Sequence, residues 1–219
     1  SSVTNLTVDD FQAAEVTNEA SKTIPYRYYD PIRSAGKGAN GKYPVVIFLH
    51  GAGESGDNNI SHIIANKGAV VWADRVDMNP CYVLAPQCPS MAEGWVQEDN
   101  EALVMQMLDE FIAAHADTID TDRIYIQGLS MGGYGTWKII LDHPEVFAAA
   151  MPMCGGVDDS YYANKNAAFE KIKNMAIWTF HNAEDSTVPV ENTSKVVEAL
   201  RAVGSACIKY EEYSAGSRT

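Results

Sequence analysis

The pentapeptide Gly128-Leu129-Ser130-Met131-Gly132 is the stretch of this sequence whose residue types and spacing could do chemistry. A serine between two glycines at this spacing is typical of a sharp turn from a strand into a helix, which exposes the serine hydroxyl above a sheet. Glycine is needed at 128 and 132 because side chains there would crowd the neighbouring strand and the new helix. The helix N-terminus behind the serine favours developing negative charge. The pattern therefore predicts that Ser130 is a nucleophile.

The residues on either side of the pentapeptide decide between this interpretation and a chance match in a glycine-rich loop. Residues 124–126 are strand-like, and Trp137, Ile140 and Leu141 recur at helical spacing after the turn. The motif requires a strand before it and a helix after it, so this context favours the nucleophile.

Two further motifs precede the serine, LHGAGE at 49–54 and LAPQCP at 84–89. Together with GLSMGG at 128–133, they resemble the α/β-hydrolase esterases. The most similar group is the single-domain bacterial carboxylesterases allied to polyhydroxybutyrate depolymerases, feruloyl esterases and the prolyl oligopeptidase branch. The resemblance implies an α/β-hydrolase fold, a mostly parallel central sheet with helices on both faces. It also implies a serine carboxylesterase that hydrolyses short-chain or aryl esters through an acyl-Ser130 intermediate.

The same resemblance assigns an oxyanion hole, because the negative charge that forms on the substrate oxygen needs hydrogen-bond donors already in place. The backbone N–H groups of Met131, which follows the nucleophile, and of Ala52 would be these donors. His50, two residues before Ala52, is expected to brace the loop and not to take part in the chemistry.

Other motif positions are assigned to the acid of the site and to the substrate pocket. Asp185, in the turn at 181–189, would orient a catalytic histidine, while its neighbour Glu184 is expected to be solvated. Trp95 and Gln87 would line the pocket, and a plain packing role for Trp95 is an equal alternative. Residues 154–156 are a further candidate lining for the acyl group.

The general-base histidine departs from the family pattern. It is expected in the loop after the last strand, beyond Tyr213, yet the sequence has no histidine after His181. His181 is the alternative base. Surface or core roles are the ordinary expectation for the three histidines predicted to lie in helices or at helix ends, which are His62, His115 and His143. We therefore expect a shortened form that lacks the histidine loop and the C-terminal helix covering the sheet. The alternative function is a non-catalytic or impaired module that retains a binding pocket.

The remaining patterns predict the elements that position these residues. Apolar runs predict strands at 44–49, 81–85, 147–153, 175–180 and 207–213, and helical spacing predicts helices at 60–71, 98–115 and 190–203. Residues 1–31 predict two antiparallel strands that include Phe11, and 34–42 a surface loop. Alternating strands and helices predict a single α/β domain over 1–219 with right-handed crossovers.

The composition limits the classes of partner that the protein is expected to bind. A formal charge of −13 opposes binding to nucleic acid and anionic membranes, and no apolar run is long enough to span a bilayer. The four cysteines lack C-x-x-C spacing, and no phosphate loop or dinucleotide fingerprint occurs, so neither a metal nor a cofactor is predicted. The expected partner is a small-molecule ester, with the oligomeric state left open. A start at Ser1 without a signal segment favours a processed, secreted protein over a cytoplasmic one.

Overall fold

The structure is a computed structural model that describes residues 6–32, 41–74, 79–163 and 167–214. The loop predicted at 34–42 lies almost entirely outside these residues. The strands are β1 (Gln12–Thr17), β2 (Thr23–Tyr29), β3 (Tyr43–Leu49), β4 (Tyr82–Pro86), β5 (Ile119–Leu129), β6 (Ala149–Met153), β7 (Ala176–Asn182) and β8 (Ile208–Tyr213). The helices are α1 (Ser61–Ile64), α2 (Gly68–Ala73), α3 (Glu98–Ala114), α4 (Met131–Asp142), α5 (Ala167–Glu170) and α6 (Glu191–Ala202). Short 3₁₀ helices occur at Val8–Asp10, Ala52–Glu54 and Asp159–Tyr162.

The eight strands form one sheet in the order β1-β2-β4-β3-β5-β6-β7-β8. The first two strands are antiparallel to each other, and β2 is antiparallel to β4, as the sequence predicts for the opening. The strands from β4 to β8 are parallel to one another. Helices on both faces of a mostly parallel sheet make this the α/β-hydrolase fold that the motifs predict.

Side chains alternate along the central strand β3 between two apolar clusters, because successive strand residues point to opposite faces. Ile47 and Leu49 pack on the side that holds α3, α4 and α6. Val46 and Phe48 pack on the other side, with Ile63 and the α2 residues. A strand buried on both faces explains why this run is continuously apolar and not alternating.

The face of the sheet that carries α1 and α2 is only partly covered by the described residues. Further along it, between β5 and β8, apolar side chains line an open depression of about 420 Å³ that includes Met151, Ile177 and Trp178. Trp178 is 38% exposed. Among the described residues, which end at 214, no helix follows β8. Among the helices that are described, none is long and apolar enough to cross a membrane.

Two predicted elements differ from the structure. The helix predicted at 60–71 is two short helices in the structure. Lys67 has a left-handed backbone with φ of 53°, which interrupts the helix, and α2 starts at the next residue. Phe11 lies before β1, at the end of the 3₁₀ helix Val8–Asp10. The strand predicted at 124–126 is longer in the structure, since β5 runs from Ile119 to Leu129. The remaining predicted strands and helices agree with the structure to within two residues at each end.

Candidate active site

Ser130 lies at the junction of β5 and α4, with φ of 57° and ψ of −113°. A positive φ is unfavourable for a residue with a Cβ atom and persists only where the surroundings enforce it. Here the Ser130 N–H donates to the carbonyl of Met153 at 2.8 Å, and the Ser130 carbonyl accepts from the N–H of Tyr134 at 3.1 Å. The serine is therefore held between the end of β6 and the first turn of α4.

Three glycines around Ser130 allow backbone to approach backbone. A Cβ atom on Gly128 would lie 1.9 Å from the carbonyl oxygen of Gly132, and one on Gly132 would lie 1.9 Å from that of Leu49. One on Gly133 would lie 2.4 Å from the carbonyl oxygen of Met153. Real Cβ contacts are never this short. The spacing read in the sequence thus has a steric cause at each glycine.

The loop after β3 reaches the same place. A Cβ atom on Gly51 would lie 3.9 Å from the Ser130 Cβ atom and 3.5 Å from the carbonyl oxygen of Leu129. Ala52 begins the 3₁₀ helix Ala52–Glu54, and Met131 begins α4. The first N–H groups of a helix have no acceptor within it, so both residues have a backbone donor without an intrahelical partner. These are the two positions predicted to form the oxyanion hole.

His50 fixes the base of this loop. Its ring is fully buried, with Nδ1 2.6 Å from the Gly51 carbonyl and Nε2 accepting from the Cys88 N–H at 2.8 Å. Because a carbonyl only accepts, Nδ1 donates and the ring is neutral. Burial lowers the pKa of His50 to about 4, which keeps it neutral at ordinary pH. This is the bracing role expected from the sequence.

Trp95 and Gln87 are not on a pocket wall, in contrast to their predicted role. Both are fully buried. Trp95 Nε1 donates to the carbonyl of His50 at 3.0 Å, and Gln87 Nε2 donates to the carbonyl of Glu54 at 3.0 Å. Each side chain is used in holding the loop after β3, which supports the alternative packing role for Trp95 and corrects the pocket assignment for both.

Asp185 is built into the turn that follows β7. Its Oδ1 accepts from the N–H groups of Thr187 at 2.9 Å and Val188 at 2.8 Å, and its Oδ2 lies 3.7 Å from Nε2 of His181. Glu184 is exposed, as expected for a solvated neighbour. The carboxylate of Asp185 therefore has one oxygen committed to the turn and one free of backbone partners in the described residues.

His181 is not placed as a base for Ser130. It is fully buried, its Nε2 donates to the carbonyl of Val188 at 2.7 Å, and its Nδ1 is 2.7 Å from the hydroxyl of Thr193. Both ring nitrogens are thus engaged elsewhere, which argues against His181 as the alternative base. All five histidines of the chain lie in the described ranges, and none forms a hydrogen bond with Ser130; their positions are His50, His62, His115, His143 and His181.

Cys154, His181 and Asp185 place their ligand-type atoms within 4.8 Å of one another. The engaged nitrogens of His181 leave no ring lone pair for an ion. Burial also raises the pKa of the Cys154 thiol, which opposes the thiolate that a metal would need. The cluster lies where the ends of β6 and β7 meet. Sequence spacing gave no sign of it because Cys154 follows β6, whereas His181 and Asp185 are at the end of β7.

Residues 102–179 match the prolyl oligopeptidase family. The structure of a thermostable esterase is 41% identical in sequence, with a TM-score of 0.83 over 95% of this chain and 56% of that one.

This chain has the α/β-hydrolase fold.

Two further relatives of the α/β-hydrolase chain differ in how much they share with it. The poly(3-hydroxyalkanoate) depolymerase C of Paucimonas lemoignei is 31% identical over 125 residues, which are 52% of this chain and 28% of that protein. The structure of a ferulic acid esterase is 15% identical, with a TM-score of 0.69 over 94% of this chain and 89% of that one, and this likeness shows the fold alone. The chain thus spans little more than half of the thermostable esterase and just over a quarter of the depolymerase.

Proposed function

We propose that this α/β-hydrolase is a serine esterase that hydrolyses short-chain or aryl carboxylic esters through an acyl-Ser130 intermediate. The observation that carries the proposal is the strained Ser130 at the β5–α4 junction, with the Gly51 loop against its Cβ atom. The name of one similar protein, a thermostable esterase, supports ester substrates.

In the proposed reaction the Ser130 oxygen attacks the ester carbonyl carbon, and the carbonyl oxygen becomes an oxyanion. The N–H groups of Ala52 and Met131 donate hydrogen bonds to this oxygen, where preorganised donors are worth about 3 kcal/mol each. The alcohol then leaves with the proton that Ser130 has lost, and water hydrolyses the acyl-serine. Asp185 is assigned to orient and stabilise the histidine base of such a site.

The chain by itself lacks a histidine placed to take the Ser130 proton. Oxyanion donors and substrate binding still leave a rate above that in water when the base is missing. We therefore expect slow but measurable acylation of this 219-residue chain. The same observation favours a second candidate, a non-catalytic module that binds esters or related ligands without turnover.

A fluorophosphonate probe distinguishes the two candidates, because it reacts only with a nucleophilic serine. The expected result is slow labelling of the wild-type chain that is lost in Ser130→Ala. Ser186→Ala is the matched control, since Ser186 is an exposed serine in the turn beside Asp185. Labelling that persists in Ser130→Ala would show that another serine is responsible and would sink the esterase proposal.

The acyl preference needs its own comparison. The expected order is faster turnover of p-nitrophenyl acetate and butyrate than of long-chain esters, with feruloyl esters tested beside them. Peptide p-nitroanilides belong in the same series because residues 102–179 match a peptidase family. A preference for long acyl chains or for the anilides would contradict this assignment.

A further inference from the structure

Glu54 is a buried carboxylic acid that the acyl-transfer chemistry described above does not use. Its side chain is 4% exposed, and His50 Nδ1 lies 3.8 Å from its Oε2, but that ring is neutral. In the part of the chain that the structure describes, no lysine or arginine forms an ion pair with it. Burying a carboxylate without a cation is costly unless hydrogen bonds replace the lost water. The hydrogen bonds of Glu54 must therefore offset this cost.

The Glu54 carboxylate uses each oxygen for a different neighbour. Oε2 accepts from the backbone N–H of Gly51 at 3.0 Å, and Oε1 accepts from the side-chain amide of Asn66 at 2.6 Å. The backbone N–H of Glu54 also donates to the carbonyl of Gly51 at 3.3 Å. A glutamate that bonds back to the residue before a helix is a common way to fix a helix terminus. Here that terminus begins with Ala52, a proposed oxyanion donor.

Both peptide groups that flank Gly51 are held in this way. The carbonyl of the first peptide group, that of His50, accepts from Trp95 Nε1 at 3.0 Å, and its N–H is the one bonded to the Glu54 carboxylate. The carbonyl of the second, that of Gly51 itself, lies 2.6 Å from His50 Nδ1 and accepts from the Glu54 N–H. A peptide group is planar, so these bonds fix the orientation of both planes. Glu54 bonds to both of them.

The orientation of the second plane decides where the Ala52 N–H points. In a trans peptide the N–H is directed away from the carbonyl of the same group. Because the Gly51 carbonyl is directed at His50 and Glu54, the Ala52 N–H is directed to the opposite side. Without the bonds to Glu54, Gly51 would be free to rotate, since glycine occupies more backbone conformations than other residues. That rotation would turn the Ala52 N–H away from its present direction.

Gly51 also lies close to the proposed nucleophile. A Cβ atom on Gly51 would lie 3.9 Å from the Cβ atom of Ser130. Any rotation of Gly51 is therefore a change of backbone direction beside the serine. Oxyanion donors lower the barrier only when they are already aimed at the oxygen on which charge develops.

We propose that Glu54 is a positioning residue of the active site, whose carboxylate holds the Gly51 N–H and thereby sets the direction of the Ala52 N–H. This inference rests on the proposed esterase function and adds a residue that acts through the backbone of another. The Glu54 carboxylate exchanges no proton with the substrate in this role. Its loss leaves the Ala52 donor present but wrongly aimed, so it weakens stabilisation of the transition state and not binding of the ester.

The test compares Glu54→Leu with Glu54→Gln. Leucine removes the acceptor for the Gly51 N–H at similar size, whereas glutamine keeps an amide oxygen that can accept from it. For p-nitrophenyl acetate, after subtraction of the rate with Ser130→Ala protein, kcat should fall about tenfold or more in Glu54→Leu, with KM within about twofold of wild type. Glu54→Gln should restore kcat to within about threefold of wild type. Urea denaturation establishes that each variant is folded under the assay conditions.

Asn66→Ala is the matched control. It removes the bond to the other oxygen of the same carboxylate and leaves the Gly51 bond in place, so kcat should stay within about twofold of wild type. A loss of kcat as large as that of Glu54→Leu would show that the Gly51 bond is not the cause. A raised KM with unchanged kcat in Glu54→Leu would also overturn the positioning role, as would a Glu54→Gln protein as slow as Glu54→Leu.

Hydrogen exchange, measured by NMR without substrate, separates this proposal from the esterase proposal. The Gly51 N–H should exchange about tenfold or more faster in Glu54→Leu than in wild type, and should be slow again in Glu54→Gln. This pattern, in proteins without any Ser130-dependent hydrolysis, would support the hold of Glu54 on the loop and overturn the esterase. Ser130-dependent hydrolysis with equal kcat in wild type and Glu54→Leu would overturn the positioning role alone, whether or not the stability of Glu54→Leu is lower.

Discussion

A Cβ atom on Gly132 would lie 1.9 Å from the carbonyl oxygen of Leu49. The first turn of α4 therefore rests directly on the last peptide of β3, with no side chain between them. Leu49 precedes the loop that holds Ala52, and Gly132 follows the turn that holds Ser130 and Met131. The two proposed oxyanion donors are thus positioned relative to each other by a backbone contact, which is stiffer than a contact through side chains.

Gly132→Ala should strongly destabilise the fold, because neither partner in this contact is a flexible side chain that can move aside. The expected loss is about 3 kcal/mol of unfolding free energy or more, measured by urea denaturation. Gly53→Ala is the control, since a Cβ atom there meets nothing within 4 Å. Equal stability of the two variants would show that α4 and β3 are less tightly joined than this distance implies.

Local residue patterns predicted much of the fold and part of the site. The glycines at 128 and 132 indicated the turn at Ser130 because their cause is steric and lies within five residues. Continuous apolar runs indicated the buried strands, because a parallel sheet covered on both faces needs apolar residues on both. The break at Lys67 was missed because the left-handed residue is a lysine, and the glycine beside it, Gly68, is the first residue of α2 and not the residue with positive φ.

The side chains that hold the site together were not predictable in the same way. Trp95 bonds to His50 across 45 positions, and Gln87 bonds to Glu54 across 33. Both were assigned to the pocket because a motif gives an approximate place in the fold but not the direction of the side chain.

Thr193→Val should lower the free energy of unfolding, because it removes a hydrogen-bond partner of the buried His181 ring. The change removes the hydroxyl that lies 2.7 Å from Nδ1 of His181 and donates to the carbonyl of Gly155 at 3.0 Å. Leaving buried polar atoms without a partner costs about 1–3 kcal/mol. The control is Thr187→Val, at an exposed position in the turn between β7 and α6. It should change the unfolding free energy by less than about 0.5 kcal/mol. Similar losses in both variants would show that the buried hydrogen bonds are not the cause.

Stability should fall in mild acid because of buried neutral histidines. Burial is the main cause that lowers the pKa of His62 to about 4, and its Nδ1 has no hydrogen-bond partner in the described structure. The unfolded chain therefore binds more protons than the folded chain between about pH 6.5 and 4. The contribution of neutral His62 to the free energy of unfolding is complete above pH 6.5 and is lost as the pH falls. His50 contributes in the same direction.

A difference measurement isolates His62, because burial raises the pKa of Glu101 to about 7 and gives a slope of opposite sign. The stability advantage of wild type over His62→Gln should shrink by about 3 kcal/mol between pH 7 and pH 4. Urea denaturation of both proteins across this range provides the comparison. Parallel pH profiles would mean that His62 does not gain a proton on unfolding.

The absence of a placed histidine base leads to the last prediction. Imidazole added to the solution should raise the Ser130-dependent hydrolysis of p-nitrophenyl acetate, because a small base can take the place of the missing side chain. Imidazole also cleaves this ester by itself, so the rate with Ser130→Ala protein is subtracted at each concentration. The remaining rate should level off as the site fills.

The same assay tests Asp185. Asp185→Asn keeps an oxygen to accept from Thr187 and Val188, so the turn should persist, but it removes the negative charge that would stabilise a protonated imidazole. We expect the imidazole-dependent rate to fall about tenfold or more, whereas Glu184→Gln, in the exposed neighbour, should leave it unchanged. A larger loss of the imidazole-dependent rate in Glu184→Gln would identify Glu184, and not Asp185, as the acid of the site. An imidazole-dependent rate equal in wild type and Ser130→Ala would mean that Ser130 does not attack the ester in this chain.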